Sequence, residues 1–328
     1  MTQHALLQSA LVQEGVLEMP IRFSVENQAI NAILTKPADQ EIKAIVVFSH
    51  GWSGFRTGPA DILTFLARTF AKHNYASLRF DFRGRGESQG EGLQTSLVTM
   101  ADDLVAASET AIKETKCDNL ILCGLCSGGN VVVGTLKRIP QAKALLLMSV
   151  YPFSDGDAFG RDMHRTFHYL NVYWKKILRP DTWSRLFKGD VNIKSVFNVI
   201  FGHFFKKGQN KKKEGEGTKQ AEQDSTQPKL PQAAKAAKVE SRLQGKEPPK
   251  KHLANLKKEI PGIMVYGTAD PDATAAEKYF GDYITENKLN IDIKHIEGAN
   301  HNFSSKEWKA QLATYLTEFI NSTKGNKR

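Results

Sequence analysis

The sequence predicts an α/β fold with a doubly wound, mostly parallel sheet, and two observations carry that reading. Short continuous apolar runs recur along the chain, and stretches with helical apolar spacing separate them. A run without polar alternation belongs to a strand buried on both faces, and a connection long enough to hold a helix makes parallel pairing the natural outcome. In chain order, Leu17–Val25 and Ala29–Thr35 flank Glu26-Asn27 and predict a hairpin at the sheet edge. Ala44–Ser49 is the first buried run. Ile62, Phe65, Leu66 and Phe70 then repeat at helical spacing, Ala76–Phe80 is the second run, and Leu97, Met100, Ala101, Leu104, Val105 and Ile112 mark another helix. Asn119–Cys123 is the third run, Asn130–Leu136 suits a helix, and Ala144–Ser149 is the fourth run. Gly262–Tyr266 and Ile291–Ile296 complete the strands, and Trp308, Leu312, Tyr315, Leu316 and Phe319 give a final helix.

Two contrasting segments interrupt the alternation. Tyr151 to Phe205 holds 13 aromatic residues of the chain's 18 Phe, 8 Tyr and 4 Trp, with Phe167, Leu170, Trp174 and Ile177, then Val196, Ile200 and Phe204, at helical spacing. An inserted helical cap with an aromatic face is expected over 151–205. Lys206 to Lys258 has no Phe, Tyr or Trp and carries 14 Lys and one Arg against five Glu and one Asp, so it holds nine of the chain's ten net positive charges. Such a composition buries too little apolar surface to offset chain entropy, and a disordered basic insertion is expected over 206–258. The expected core is then 1–150 together with 259–328. Nucleic-acid specificity is not expected of it, because the charge sits in the insertion; weak contact of 206–258 with anionic membrane or other polyanions is the alternative to a solvated tether. With 328 residues, 41% hydrophobic, and only three Cys, the chain is no disulfide scaffold. No window approaches the roughly 18 apolar residues of a membrane span, and a cytoplasmic protein is expected.

The third apolar run ends in Gly124-Leu125-Cys126-Ser127-Gly128-Gly129 ahead of a helical stretch. This is the G-x-nucleophile-x-G spacing of a nucleophile elbow, in its strand, sharp turn and helix context. Glycines two residues to either side let the backbone fold tightly while the central side chain takes a strained positive φ above the sheet. Cys126 is the central residue; Ser127 as nucleophile would put Leu125 where the turn has little room. Cys123 and Cys126 also make a C-x-x-C spacing, which in another setting is a redox pair.

With this elbow, Ser49-His50-Gly51-Trp52 at the end of the first run, and Arg79-Phe80-Asp81-Phe82-Arg83-Gly84-Arg85-Gly86-Glu87-Ser88 after the second, the chain resembles the α/β-hydrolases. The last stretch is similar to that of bacterial cinnamoyl and feruloyl esterases and serine-aminopeptidase-like relatives, whereas the cysteine resembles that of dienelactone hydrolase-like enzymes. The resemblance covers roughly 43–150 and 260–325. It implies an α/β-hydrolase fold and a Cys-His-Asp triad in the chain order Cys126, Asp270, His301. Asp270 follows the strand-ending Gly267, with Asp272 and Asp155 as substitutes, and His301 lies in the loop before the final helix. The resemblance further implies that the backbone N–H groups of Trp52 and Ser127 form the oxyanion hole and that His50, Gly51, Gly124 and Gly128 support the two loops.

Such a set acts on acyl carbonyls: an imidazole and a helix N-terminus favour the thiolate, the acid holds the imidazole, and the acyl-enzyme is a thioester. The expected activity is hydrolysis of a small or medium ester, lactone or thioester, with no cofactor. The alternatives are acyl transfer by the same triad, or a non-catalytic scaffold tethered by its basic insertion. His164 and His168 stand four apart, a metal-compatible spacing without a third ligand at a matching position, so no metal is expected.

Overall fold

The Glu26-Asn27 turn sets the register of the sheet edge in the computed structural model of the chain, which describes residues 10–152 and 248–323. Both turn residues take positive φ, 49° and 64°, the tight geometry whose twist matches that of paired strands. It registers Val25 with Gln28, so β2 (Val16–Val25) and β3 (Gln28–Pro37) pair antiparallel along their whole length. A short β1 (Ala10–Gln13), not expected from the sequence, extends this edge.

Beyond the hairpin the strands are β4 (Ala44–Ser49), β5 (Tyr75–Phe80), β6 (Leu120–Leu125), β7 (Ala142–Met148), β8 (Gly262–Gly267) and β9 (Ile291–Ile296). They form one nine-stranded sheet in the order β1-β2-β3-β5-β4-β6-β7-β8-β9, parallel from β5 through β9. Every residue of β4, β5, β6 and β8 is buried, as runs without alternation require.

Alternate side chains of these strands feed two hydrophobic layers. Ile45, Val47, Leu78, Leu122, Leu147 and Met264 meet α2 (Leu97–Thr115), α3 (Ser127–Thr135) and α5 (Ala273–Asn287) on one face. Val46, Phe48, Ile121, Leu146 and Val265 meet α1 (Ile62–Lys72) and α6 (Lys306–Ser322) on the other. Helix starts are marked by the sequence: Ser96 and Ser305 accept hydrogen bonds from the Thr99 and Trp308 amides, each satisfying a donor left free by the first turn.

The core resumes ten residues earlier than the expected boundary at 259. Pro249, Leu253 and Leu256 are buried, on a short α4 (Pro249–His252) and the turn that follows it. Their lysine, histidine and asparagine neighbours mask this in the composition. Of the expected cap and basic insertion, residues 153–247 lie outside the described residues, as do Asp155, His164 and His168. Among the described residues no helix is long and apolar enough to cross a membrane.

The last described residues before that stretch are fixed to the sheet. The Tyr266 hydroxyl donates to the Val150 carbonyl at 2.8 Å, and Asn130 Nδ2 donates to the Tyr151 carbonyl at 2.9 Å.

Because Leu253 is fully buried, Leu253→Ala is expected to cost about 2–4 kcal/mol by removing buried apolar atoms and leaving a cavity. Urea unfolding monitored by fluorescence measures it; a loss below about 1 kcal/mol would mean that the core does not extend to this turn.

Candidate active site

At the end of β6 the chain reverses into α3 through Cys126, whose φ of 56° and ψ of −128° no ordinary side chain adopts freely. Such a residue stores about 1–3 kcal/mol that its surroundings must hold in place. Close packing does so here. A Cβ on Gly128 would stand 2.1 Å from the Ser49 carbonyl oxygen and 2.5 Å from that of His50, and one on Gly124 would stand 2.5 Å from Gly129 Cα. Only hydrogen at these positions lets α3 approach the end of β4. The Cys126 amide donates to the Met148 carbonyl at 2.9 Å, which fastens the elbow to β7 as well.

The acid and the base arrive on two loops that are themselves joined. Asp270 follows β8 and His301 lies between β9 and α6. The Ala269 amide donates to the Ala299 carbonyl at 3.0 Å, and Gly298 N–H donates to the Thr268 hydroxyl at 2.8 Å. A Cβ on Gly267 would lie 2.2 Å from the Ala299 carbonyl oxygen, so this contact also needs glycine. Asn300 Oδ1 accepts from the Asn302 and Ser304 amides, and the buried Phe303 anchors the loop in the core.

His301 Nδ1 and Asp270 Oδ2 are 2.8 Å apart, and Asp270 Oδ1 accepts from the Asp272 amide at 3.0 Å. Both carboxyl oxygens are therefore committed, and Nδ1 is the nitrogen that carries the proton. The other ring nitrogen, Nε2, is buried and no hydrogen bond engages it among the described residues, while the ring is electrostatically coupled to the thiol of Cys126. Burial alone would push this thiol up. The neighbouring charge of His301, with Ser127 beside it, outweighs burial and holds the thiol below its ordinary value. Burial likewise works against the imidazolium, but the hydrogen bond to Asp270 and the charge of Cys126 overcome it and raise the ring above 6.5. The two shifts have one cause, a thiolate and imidazolium that stabilise each other.

The loop after β4 lies against the elbow: a Cβ on Gly51 would stand 3.4 Å from Cys126 Cβ and 3.7 Å from Sγ. His50 beneath it is fully buried and has both ring nitrogens engaged. Nδ1 bonds the Gly51 carbonyl at 2.8 Å, and Nε2 accepts from the Phe82 amide at 3.4 Å. Burial lowers it to about 4, so it is a neutral brace and has no proton to exchange near neutrality. The Trp52 amide donates to the Ser127 hydroxyl at 2.6 Å.

The arginine and aspartate stretch that follows β5 has a role that sequence reasoning missed. Asp81, wholly buried, accepts from the Arg56 guanidinium, from the Arg56 amide at 2.6 Å and from the Glu87 amide at 3.1 Å. Arg83 ties the same stretch to α2 through Asp103, at 2.6 Å and 2.8 Å, and burial raises the Asp103 carboxyl to about 6 despite that pairing. The sequence signal for this role is the alternation of apolar and charged residues in Arg79–Arg83, which continues past the end of β5.

The structure thus brings Cys126, Asp270, His301, Trp52 and Ser127 together, with His50, Gly51, Gly124 and Gly128 packed around them. Asp272 serves as an amide donor to Asp270. Ligand atoms of Asp270, Asp272 and His301 lie within 4.8 Å of one another, a set compatible with a cation, but the Asp270–His301 hydrogen bond accounts for their approach without one. Cys123 is fully buried, and burial pushes its thiol far up, which is the opposite of a reactive redox partner.

Residues 40–176 match the family model described as serine aminopeptidase, S33. The quorum-quenching protein AidA of Acinetobacter baumannii is 28% identical over 141 residues, 42% of this chain and 45% of that protein. An uncharacterized 31.7 kDa protein from the traX-finO intergenic region of Escherichia coli is 29% identical over 115 residues, 34% of this chain and 38% of that protein. The chain therefore spans less than half the length of the curated relatives it matches. Among solved structures, ferulic acid-bound Est1E from Butyrivibrio proteoclasticus superimposes with a TM-score of 0.56 at 16% identity, covering 93% of this chain and 100% of that one. Dienelactone hydrolase from Anabaena variabilis gives 0.55 at 14% identity, covering 94% and 98%. The fold of this chain is the α/β-hydrolase fold.

Gly128→Ala sets a methyl group against two backbone carbonyls that cannot retreat without moving β4. It is expected to lower stability by about 2 kcal/mol or more; a thermal melt unchanged within about 2 °C would show that the elbow is looser than this packing implies.

Proposed function

We propose that the chain is an acyl hydrolase that cleaves a small or medium ester, lactone or thioester through an acyl-enzyme on Cys126. The observation that carries the reading is the continuous set Asp270, His301, Cys126, ending on a thiol whose strained backbone stands at the N-terminus of α3. Ferulic acid bound in Est1E, a structure of the same fold, supports an acyl substrate.

The chemistry follows from the proton positions. Asp270 keeps the Nδ1 proton in place, so Nε2 takes the thiol proton. The thiolate attacks the acyl carbonyl carbon and forms the carbon–sulfur bond while the carbonyl π electrons move to oxygen. The Ser127 amide, at the positive end of α3, stabilises that oxyanion, and Trp52 is the second expected donor. As the tetrahedral species collapses, the Nε2 proton goes to the departing alkoxide or thiolate. Neutral Nε2 then takes a proton from water, which attacks the thioester, and the acid leaves as the Cys126 thiolate re-forms. His50, neutral and doubly bonded, supports the loop and stays out of the proton path.

The charged pair sets the pH dependence. The lowered thiol loses its proton below its ordinary value, and the raised imidazolium keeps its proton above 6.5, so the reactive pair is populated between the two. For stability, the raised His301 contributes fully below its unfolded value of 6.5, and that contribution is lost as pH rises through the folded one.

We assign 151–205 as an inserted helical cap and the basic stretch that follows it as a tether, on composition. With the core resuming at Pro249, deletion of 209–247 is expected to leave turnover within about threefold, because no catalytic group is lost; collapse of the fold would give the insertion a structural role.

Turnover of p-nitrophenyl acetate that iodoacetamide abolishes is the test of the reading. Cys126→Ala is expected to lose activity by about 10⁴-fold or more, and full activity in that variant would sink the assignment. In His301→Ala the alkylation rate of Cys126 at pH 6.5 should fall at least about tenfold, as the thiol returns toward its ordinary pKa.

A further inference from the structure

Resting on the reading of Cys126 as the attacking thiol, we infer that Arg56 is a positioning residue for acyl transfer. Gripped by the buried Asp81, it holds the loop 51–55 so that the Trp52 amide stays at the elbow. The loop leaves β4 at Ser49 and passes the elbow without helix or strand. At its start stands His50, with Nδ1 on the Gly51 carbonyl at 2.8 Å and the Phe82 amide donating to Nε2 at 3.4 Å. In the middle, the Gly54 amide donates to the Gly51 carbonyl at 2.9 Å and closes a turn around Trp52 and Ser53. At its end, the Arg56 amide donates to Asp81 Oδ1 at 2.6 Å, and the Arg56 guanidinium donates to Asp81 Oδ2. Two consecutive residues, Asp81 and Phe82, thus hold the loop at both ends. Between those holds the Trp52 amide meets Ser127 Oγ at 2.6 Å.

This grip carries the order of the sheet into the loop. Asp81 follows β5 directly; its amide donates to the Asn31 carbonyl of β3 at 3.0 Å, and its own carbonyl accepts from the Ser88 hydroxyl at 2.7 Å. A Cβ on Gly86 would stand 2.4 Å from Asp81 Cγ, so the chain wraps tightly on the carboxylate. A carboxylate with no exposed surface needs a cation, and Arg56 supplies it while its second terminal nitrogen reaches Glu87. A planar fork satisfies both acids in one orientation, which a lysine ammonium does not reproduce. Arg56 lies four residues beyond Trp52 and its bonds go to Asp81 and Glu87, so it acts on the reacting atoms through the loop. The thiol is set up by other elements, α3 and the loops that carry Asp270 and His301. Loss of Arg56 therefore releases one oxyanion donor and leaves the thiolate in place.

Arg56→Ala in the full chain tests the inference by comparing two reactions of the same sulfur. Turnover of p-nitrophenyl acetate passes through an oxyanion, whereas alkylation by iodoacetamide displaces iodide and forms none. For the ester, kcat is expected to fall at least about tenfold with KM little changed, the loss that follows when a preorganised donor is misplaced. The alkylation rate of Cys126, followed by intact mass, should stay within about twofold at each pH, since the thiolate is untouched. Arg56→Lys, which keeps a cation on Asp81 without the fork, should recover part of kcat. Arg56→Ala combined with Asp81→Asn leaves no buried carboxylate unpaired, so it folds where the single variant is weakened, and it should show the same loss of kcat. An unchanged kcat in that double variant, or a rise in KM alone, overturns the inference. So does a parallel fall in turnover and alkylation, which would make Arg56 a prop of the whole elbow. Each of these results requires wild-type turnover; its absence fails the acyl-hydrolase reading itself, and the inference falls with it.

Discussion

The approach of α3 to the end of β4, closer than any side chain allows, is the constraint on which the site depends. Where Gly128 meets the carbonyls of Ser49 and His50, one missing methyl group decides the path of three segments: the strand before the elbow, the helix after it, and the loop from Gly51 to Trp52. That contact holds Cys126 at a φ of 56° and aims the N-terminus of α3 at its sulfur. The helix dipole, the Ser127 amide and the imidazole all reach the thiol only because the backbone first turns this way. Stability given up locally at the elbow is returned by the surrounding core, where β4, β6 and β7 are buried on both faces.

Charge is placed around this site on a consistent rule. Ionised groups far from the thiol are held by partners that satisfy them, as Arg56 does for Asp81 and Asp103 for Arg83. His50, which lies closest to the loop yet takes no part, is kept neutral by burial, with both nitrogens bonded. His301, half-buried, instead has the Asp270 carboxylate behind it and is coupled to the thiol. Environment, rather than residue type, separates these two histidines.

Much of the fold was legible because its central strands are buried on both faces. Ala44–Ser49 coincides with its apolar run, the edge strand Ile291–Ile296 with its expected bounds, and Glu26-Asn27 marks a turn that suits a tight hairpin. What escaped the sequence had weak apolar contrast. The buried positions of α5 are Ala273, Ala276, Phe280 and Ile284, two of them alanines, and Leu253 and Leu256 sit among lysines and asparagines. The elbow was readable from its glycine spacing, and the loops that carry Asp270 and His301 from their places after the strands, since these depend on local chain geometry. Contacts across the sequence were not readable. Nothing local says that Asp81 joins Arg56 to Glu87, or that the Trp52 amide ends on the Ser127 hydroxyl, since those partners are brought together only by the completed sheet.

The carbonyls of Val150 and Tyr151 are each fixed by a side chain, Tyr266 from β8 and Asn130 from α3. The exit from β7 is thereby a fixed socket: strain arising further along the chain meets two anchored peptide groups before it reaches the ring of Tyr151, 6.2 Å from that of His301. The two anchored carbonyls thus separate the register of the sheet from whatever sequence follows Tyr151.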